Sequence, residues 1–317
     1  ANLYLYKYSY GGNNVIDGFF FQINKLKKFN IKPIYIFDGK PPSEKNITIL
    51  NKKKQKLKLK NKILKLKQEI EKINNSNIDK ITKQQRIQDI KNKIKIYSKG
   101  LIYITKEIID KVKNMLTLMG IVFIDAPCES EHLCCKLIID KIVDVVLSED
   151  MDTIACGAKY VIKNFFNKKD NVLEYDFNKI LDCMKLSKNE FIDLCIICGN
   201  DYVGRIRGLN QYDIYDIVYK YRSIEKIKDL GKYNIKYDYQ KLRDIYNLKD
   251  IYTEDYRKVI EKFPKVNVTE LYSFMRTHSN INSYIYLKRI NLMFPKKNIH
   301  KSKYMKNLKK NFLIKEP

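Results

Sequence analysis

Asp150 and Asp152 stand two residues apart, directly after an apolar run, Ile142-Val143-Asp144-Val145-Val146-Leu147. A run that short and that rich in β-branched residues reads as a buried strand. On an extended chain, side chains at i and i+2 point to the same side. Two carboxylates so placed repel each other unless something cationic lies between them. Magnesium or manganese suits such a set of hard oxygens. The plainer reading is a polar turn after a strand, since Asp is common in turns. Glu149 is out of phase with the pair and is expected to point to the other side.

The pair has company. Ile121-Val122-Phe123-Ile124 reads as a strand running into Asp125-Ala126-Pro127-Cys128-Glu129-Ser130-Glu131, with a second i, i+2 acidic pair. Pro33-Ile34-Tyr35-Ile36-Phe37 runs into Asp38, and the apolar segment from Leu194 to Cys198 leads through Gly199-Asn200 to Asp201. In open α/β sheets, ligands bind outside the carboxyl ends of the strands. Acids delivered there by several strands would converge on one site. Asp17, Asp125, Asp140 and Asp144 are read as solvated or capping groups.

The elements that must position these acids follow from periodicity. Residues 1–12 alternate Tyr4, Tyr6, Tyr8 and Tyr10 as a strand would, while Leu3, Tyr6 and Tyr10 also fit a helix. Residues 15–29 carry Ile16, Phe19, Phe20, Ile23 and Leu26 on one helical side. From residue 44 the composition turns densely basic, through Lys52-Lys53-Lys54-Gln55-Lys56. Ile63, Leu66, Ile70 and Ile73 then keep a 3-4-3 spacing, and Ile87, Ile90 and Ile94 resume it beyond the turn cluster Asn74-Asn75-Ser76-Asn77. A helical hairpin over 44–73 and 78–97 is predicted, and by itself it could be an ordinary solvated coiled coil. Residues 105–119 read as a helix, 159–163 as a strand, and Ser187 with Glu190 as a capping box.

Lys plus Arg number 62 against 36 acids, a formal charge of +26. That excess favours a polyanionic partner, nucleic acid first, although the abundance of Lys, Ile, Asn and Tyr without any Trp also fits A+T-rich coding. No apolar run approaches the ~18 residues that span a bilayer, and no signal-peptide pattern opens the chain. The expectation is a soluble protein without a membrane partner. Seven cysteines in no regular frame read as reduced thiols, Cys195 and Cys198 included, and the scattered His132, His278 and His300 do not suggest zinc.

Four blocks resemble the flap endonucleases, the XPG-like structure-specific 5′ nucleases. They are Phe37-Asp38-Gly39-Lys40-Pro41-Pro42, Ala126-Pro127-Cys128-Glu129-Ser130-Glu131, Ser148-Glu149-Asp150-Met151-Asp152, and Gly199-Asn200-Asp201-Tyr202 with Ile206-Arg207-Gly208. Leu116-Thr117-Leu118-Met119-Gly120 matches as well. The resemblance implies an α/β fold of PIN-like 5′ nuclease architecture: a central, mostly parallel sheet flanked by helices, a helical arch, and a C-terminal helix–two-turn–helix region. It implies a helix over residues 1–12. It divides the chain into 1–43 and 105–200 (nuclease core), 44–104 (arch, longer than usual), 201–295 (helix–two-turn–helix and C-terminal helices) and 296–317 (basic tail).

The resemblance also assigns roles. Asp38, Glu129 and Glu131 resemble ligands of one ion, Asp150 and Asp152 bridging ligands, and Asp201 a ligand of a second, with two Mg2+ (or Mn2+) ions about 4 Å apart. Lys45 and Lys52 match the basic arch positions that steer the scissile phosphate, with Lys53 and Lys54 beside them on the threaded strand. Tyr6 matches the aromatic that stacks on a base, its alternative being a core tyrosine. Arg205, Arg207 and Gly208 match the duplex-gripping turn. Asn210 stands where a second glycine is usual, which weakens the case for K+ there.

The function so implied is cleavage of DNA at 5′ single-strand/duplex junctions, as a flap endonuclease or 5′→3′ exonuclease, in replication and repair. The alternative is a junction-binding protein of the same fold that cuts weakly or not at all. In the family a strand ending in a metal-binding Asp precedes the position matched by Ala1, so the expectation is an N-terminally truncated chain of reduced activity. Further expectations are branched DNA with a 5′ flap as partner, a monomer, no clear sliding-clamp motif, and an intracellular location, nuclear or at a viral replication site.

Overall fold

The computed structural model describes residues 1–295 other than 11, 13, 78, 168 and 169. The basic tail therefore lies outside the described residues. The elements run α1 (Asn2–Tyr10), α2 (Val15–Lys28), β1 (Ile34–Phe37), α3 (Asn46–Asn74), α4 (Lys80–Lys99), α5 (Lys106–Leu118), β2 (Val122–Asp125), α6 (Ser130–Ile139), β3 (Val146–Leu147), α7 (Asp152–Ala155), β4 (Tyr160–Lys163) and β5 (Leu173–Asp176). The chain continues with the eight helices α8 (Phe177–Met184), α9 (Lys188–Cys198), α10 (Gln211–Tyr221), α11 (Ile224–Asp229), α12 (Tyr239–Tyr246), α13 (Glu254–Ile260), α14 (Val268–His278) and α15 (Ser283–Met293).

The strands alternate their faces as a two-sided sheet requires. Tyr35 and Phe37 pack among α1, α2, α5, α14 and α15, whereas Ile36 joins the opposite core with α6, α9, α10, α11 and α12. Helices thus cover both faces of a thin strand layer. β1 pairs with β2 and β3 with β4, both parallel, and β5 closes antiparallel on β4. The single sheet predicted from sequence is divided into a two-stranded and a three-stranded part. Between them lies a cleft of about 550 Å³, bordered by Ile34, Tyr35 and Ile36 on one side and Val145, Val146 and Leu147 on the other.

Two further corrections concern strands. Residues 142–144 form a bend and 145 is irregular, so β3 is shorter than its apolar run. Their β-branched composition reflects packing on the core beside the cleft, which burial demands of turn and strand alike. β5 was not foreseen, because Leu173-Glu174-Tyr175-Asp176 is exposed at its start and offers no apolar run.

The hairpin forms as the spacing predicts. α3 and α4 pack through a narrow seam in which only Ile63 and Ile90 are fully buried. Asp79 caps α4, its carboxylate accepting from the Ile81 and Thr82 amides at 3.0 and 2.9 Å. The base of α3 is tied down: the Thr48 hydroxyl donates to the Asp201 carbonyl at 2.6 Å and Lys56 to the Ile102 carbonyl at 3.1 Å.

Candidate active site: a carboxylate cleft under the helical hairpin

Asp38 follows β1, Glu129 and Glu131 flank the start of α6, Asp150 and Asp152 lead into α7, and Asp201 follows α9. The four segments meet because their loops approach closely. A Cβ on Gly39 would lie 1.9 Å from the Ala126 carbonyl oxygen, and the Gly39 amide donates to the Cys128 carbonyl at 2.7 Å. Glycine is therefore the residue that lets the loops after β1 and β2 touch. Gly199, at φ +85°, does the same after α9, where a Cβ would lie 2.5 Å from the Arg205 amide nitrogen. A left-handed backbone there costs glycine least.

Each acid has a defined setting. The Ser130 amide, at the N-terminus of α6, donates to Asp38 Oδ1 at 3.0 Å, and the Ser130 hydroxyl donates to the same oxygen. The Tyr202 hydroxyl donates to Glu129 Oε2 at 2.8 Å. Asp150 Oδ1 accepts from the Asp152 amide at 3.0 Å, which fixes the pair's turn. Lys45 bridges Glu129 and Asp201, lying 2.9 Å from Asp201 Oδ2, and Lys52 approaches the same oxygen at 3.3 Å.

The charges are unbalanced. Burial, then the carboxylates of Asp38, Asp150 and Glu129, push Glu131 up to about 7. Burial, then Asp150 and Asp201, raise Asp152 to about 6. Burial opposes the Lys45 charge, but its contacts with Glu129 and Asp201 outweigh that and raise its pKa. Burial would likewise raise Asp201, yet Lys45 and Lys52 hold it below the usual carboxylate range. Positive charge thus serves mainly the Asp201 side, and Lys45 offsets the rise at Asp152 only in part.

The predicted metal set is gathered in one place but is not closed around ions. Among the described residues, no three His, Cys, Asp or Glu side chains are arranged to hold one metal ion. In place of shared metal contacts, Lys45 lies between Glu129 and Asp201, and Ser130 donates to Asp38. The hard oxygens nevertheless fit divalent cations, because the mutual repulsion at Glu131 and Asp152 is what such a charge relieves.

Other predicted residues divide. Tyr6 is 39% exposed, packs against Tyr10 with ring centroids 6.5 Å apart, and feels the Asp38 charge, so it borders the site and is not a core tyrosine. Lys52 reaches the carboxylates; Lys53 and Lys54 are exposed, with neither in an ion pair among the described residues. Arg205, Arg207 and Gly208 lie exposed in the turn between α9 and α10, with Gly208 at φ +84°. Asn210 has an extended backbone (φ −86°, ψ 174°) and caps α10 in a capping box with Asp213.

Glu149 does point away, accepting from the Tyr4 hydroxyl at 3.3 Å and the Asn164 amide at 3.2 Å. Asp17 is corrected from solvated to buried, held by the Ser279 hydroxyl at 2.6 Å and the Asn280 amide at 3.0 Å, away from the cleft. The positioning roles of Ser130 and Tyr202 were missed. Both sit inside the quoted motifs, beside Glu129 and Asp201, but neither spacing nor periodicity tells which neighbour a hydroxyl will hold.

Comparison with known proteins bears on the family and the fold. The XPG N-terminal domain matches residues 5–60 and the XPG I-region residues 120–201. Flap endonuclease 1 of Entamoeba dispar is 30% identical over 308 residues, covering 95% of this chain and 76% of that protein. Flap endonuclease 1 of Aedes aegypti is 33% identical over 237 residues, covering 72% of this chain and 57% of that protein. The chain thus spans under two thirds of the Aedes aegypti relative. Among solved structures, the catalytic core of Rad2 in complex with DNA substrate superposes with a TM-score of 0.59 at 22% identity, covering 88% of this chain and 83% of that one. Flap endonuclease-1 from Methanococcus jannaschii gives a TM-score of 0.55 at 23% identity, covering 88% and 80%. At those identities the structures establish the fold.

Proposed function

This chain belongs to the flap endonuclease family, and from that premise we propose that it hydrolyses DNA phosphodiesters where a 5′ single strand meets duplex. The observation that carries the reading is the convergence of six carboxylates from four chain segments beneath α3, where Lys52, and Lys45 just ahead of the helix, reach their rim.

Asp38, Glu129, Glu131, Asp150, Asp152 and Asp201 would hold two divalent cations, Mg2+ or Mn2+. Those ions would supply the Lewis acidity that activates water and offsets charge on the leaving 3′ oxygen. Lys45, beside Glu129 and Asp201, and Lys52, beside Asp201, would face the scissile phosphate and stabilise its developing charge. Tyr6 would stack on the base beside the cut, a contact of about 1–3 kcal/mol. Arg205 and Arg207 would track the duplex backbone beyond the junction. The turn at Gly208 gives no separate support for bound K+. As a DNA enzyme the chain would act where DNA is replicated and repaired, in a nucleus or at a viral replication site.

The test is a labelled double-flap DNA incubated with the chain, with and without magnesium. Magnesium-dependent release of the flap is expected. Tight binding without release would overturn the reading in favour of a junction-binding protein.

A further inference from the structure

The hairpin carries a surface that the proposed chemistry does not use. Leu50, Leu57 and Leu64 of α3 are 54%, 59% and 57% exposed. They recur every seventh residue, about 10 Å apart along the axis. Lys45 and Lys52 on the same stretch face the carboxylates, and Ile63 faces α4. At 3.6 residues per turn, the leucine row lies roughly 130° around the helix from that side. It therefore looks away from both the cleft and the partner helix.

Lysines flank the row in the same register. Lys53, Lys60 and Lys67 repeat every seventh residue on one side, and Lys58, Lys65 and Lys72 on the other. All are exposed, and among the described residues none makes an ion pair. Lysines also stand at other phases of α3, at Lys52, Lys54, Lys56 and Lys62, so the leucines set the register of this face and the lysines give it its charge.

We propose that this outer face of α3 docks an acidic amphipathic helix of a partner protein. The partner's apolar positions would cover the leucine row and the methylene stems of the lysines. Its Glu or Asp residues would meet the two lysine rows, as charges flanking a coiled-coil seam do. A helix is the occupant that uses both features at a seven-residue repeat. Nucleic acid would use the lysines and gain nothing from three evenly spaced leucines, and a second copy of this face would bring like charges together.

The probe is a fluorescent peptide of four heptads with Leu at a and d and Glu at every e and g, which cannot pair with itself. Its anisotropy is followed on titration with the full chain. Binding is expected to weaken at least tenfold in a Leu50→Gln, Leu57→Gln, Leu64→Gln variant, and at least tenfold for a polyglutamate of equal charge. Circular dichroism verifies that the variant keeps its helix, and the milder Leu57→Ala variant should give a smaller loss in the same direction. Flap-DNA affinity and cleavage should stay within twofold of the unaltered chain. Equal binding of polyglutamate, or peptide affinity untouched by the leucine changes, overturns the proposal. So does a parallel loss of flap-DNA affinity, which would assign the face to nucleic acid.

Discussion

The carboxylate core and the helical hairpin are built on opposite terms. α5, with 13 residues, buries Val112, Met115, Leu116 and Leu118, whereas α3, with 29 residues, buries Ile63 alone. In the core, burial is extensive and charge is the problem: Glu131 is held against burial and the charges of Asp38, Asp150 and Glu129, and Asp152 against burial and the charges of Asp150 and Asp201. In the hairpin, burial is thin, and polar and charged contacts at its base supply much of the anchoring, through Thr48, Lys56, and Lys45 with Lys52. The lesson is a division of labour. A rigid scaffold can hold unfavourable charges in place, and a lightly packed insertion can move relative to it on a local energy scale.

The largest effect should come from the core's charges. Asp152→Asn is expected to slow flap cleavage by about 10³-fold or more, the scale on which an essential electrostatic group acts. Single-turnover rates on labelled flap DNA would show it, with DNA affinity preserved. An unchanged rate would remove Asp152 from the catalytic set.

Packing should separate the two regions next. Leu116→Ala, at a fully buried core position, should cost about 2–5 kcal/mol and lower the global melting temperature. Ile90→Ala, in the seam of the hairpin, should instead speed hydrogen exchange across α3 and α4 while the core's slow amides stay protected. If both variants lower global stability alike, the hairpin is not an independent opening unit.

Lys45 joins the regions, so its loss should show in both. Lys45→Gln removes the cation shared by Glu129 and Asp201 and should cut the cleavage rate by roughly 10–100-fold. Lys52→Gln, more exposed and touching Asp201 alone, should cost less. Lys53→Glu and Lys54→Glu should cost less again, because neither reaches the carboxylates. A common penalty at all four positions would indicate a general basic patch.

The smallest predicted effect is on pH dependence. Glu131 and Asp152 have folded-state pKa values raised above their unfolded ones, to about 7 and about 6. The folded state therefore binds more protons, and the stability these groups contribute is greatest at low pH. It is lost as pH rises from the ordinary carboxylate range, near 4, through 6 to 7. In the metal-free protein, Glu131→Gln should raise stability at pH 8 by on the order of 1 kcal/mol and flatten this fall. Added magnesium should stabilise the unaltered chain more at pH 8 than at pH 5.5. Thermal melts at the two pH values, with and without magnesium, test both statements.

Much of this was legible in the chain itself, because it is local. The Ser187–Glu190 capping box is an offset and appears as written, whereas of the seam spacing Ile63 is buried and Leu66, Ile70 and Ile73 are half-buried. Asp150 and Asp152 announced themselves by their place after an apolar run. Glu149 pointed elsewhere because phase alone required it. Residues 142–145 misled for a physical reason: a β-branched run reports burial, and turns beside a core are buried too. Asn210 served a role its position did not announce: Asn is a preferred N-cap, and it opens α10.

What the sequence determined was which residues are acidic, basic or apolar and how they repeat along each element; those follow from bonds and hydrogen bonds a few residues long. Only the tertiary structure decided that Lys45 spans Glu129 and Asp201, that Ser130 and Tyr202 hold Asp38 and Glu129, and that the strand layer divides around a cleft. Those contacts join segments far apart in the chain. Their geometry depends on how two cores settle against each other, and no local pattern encodes that.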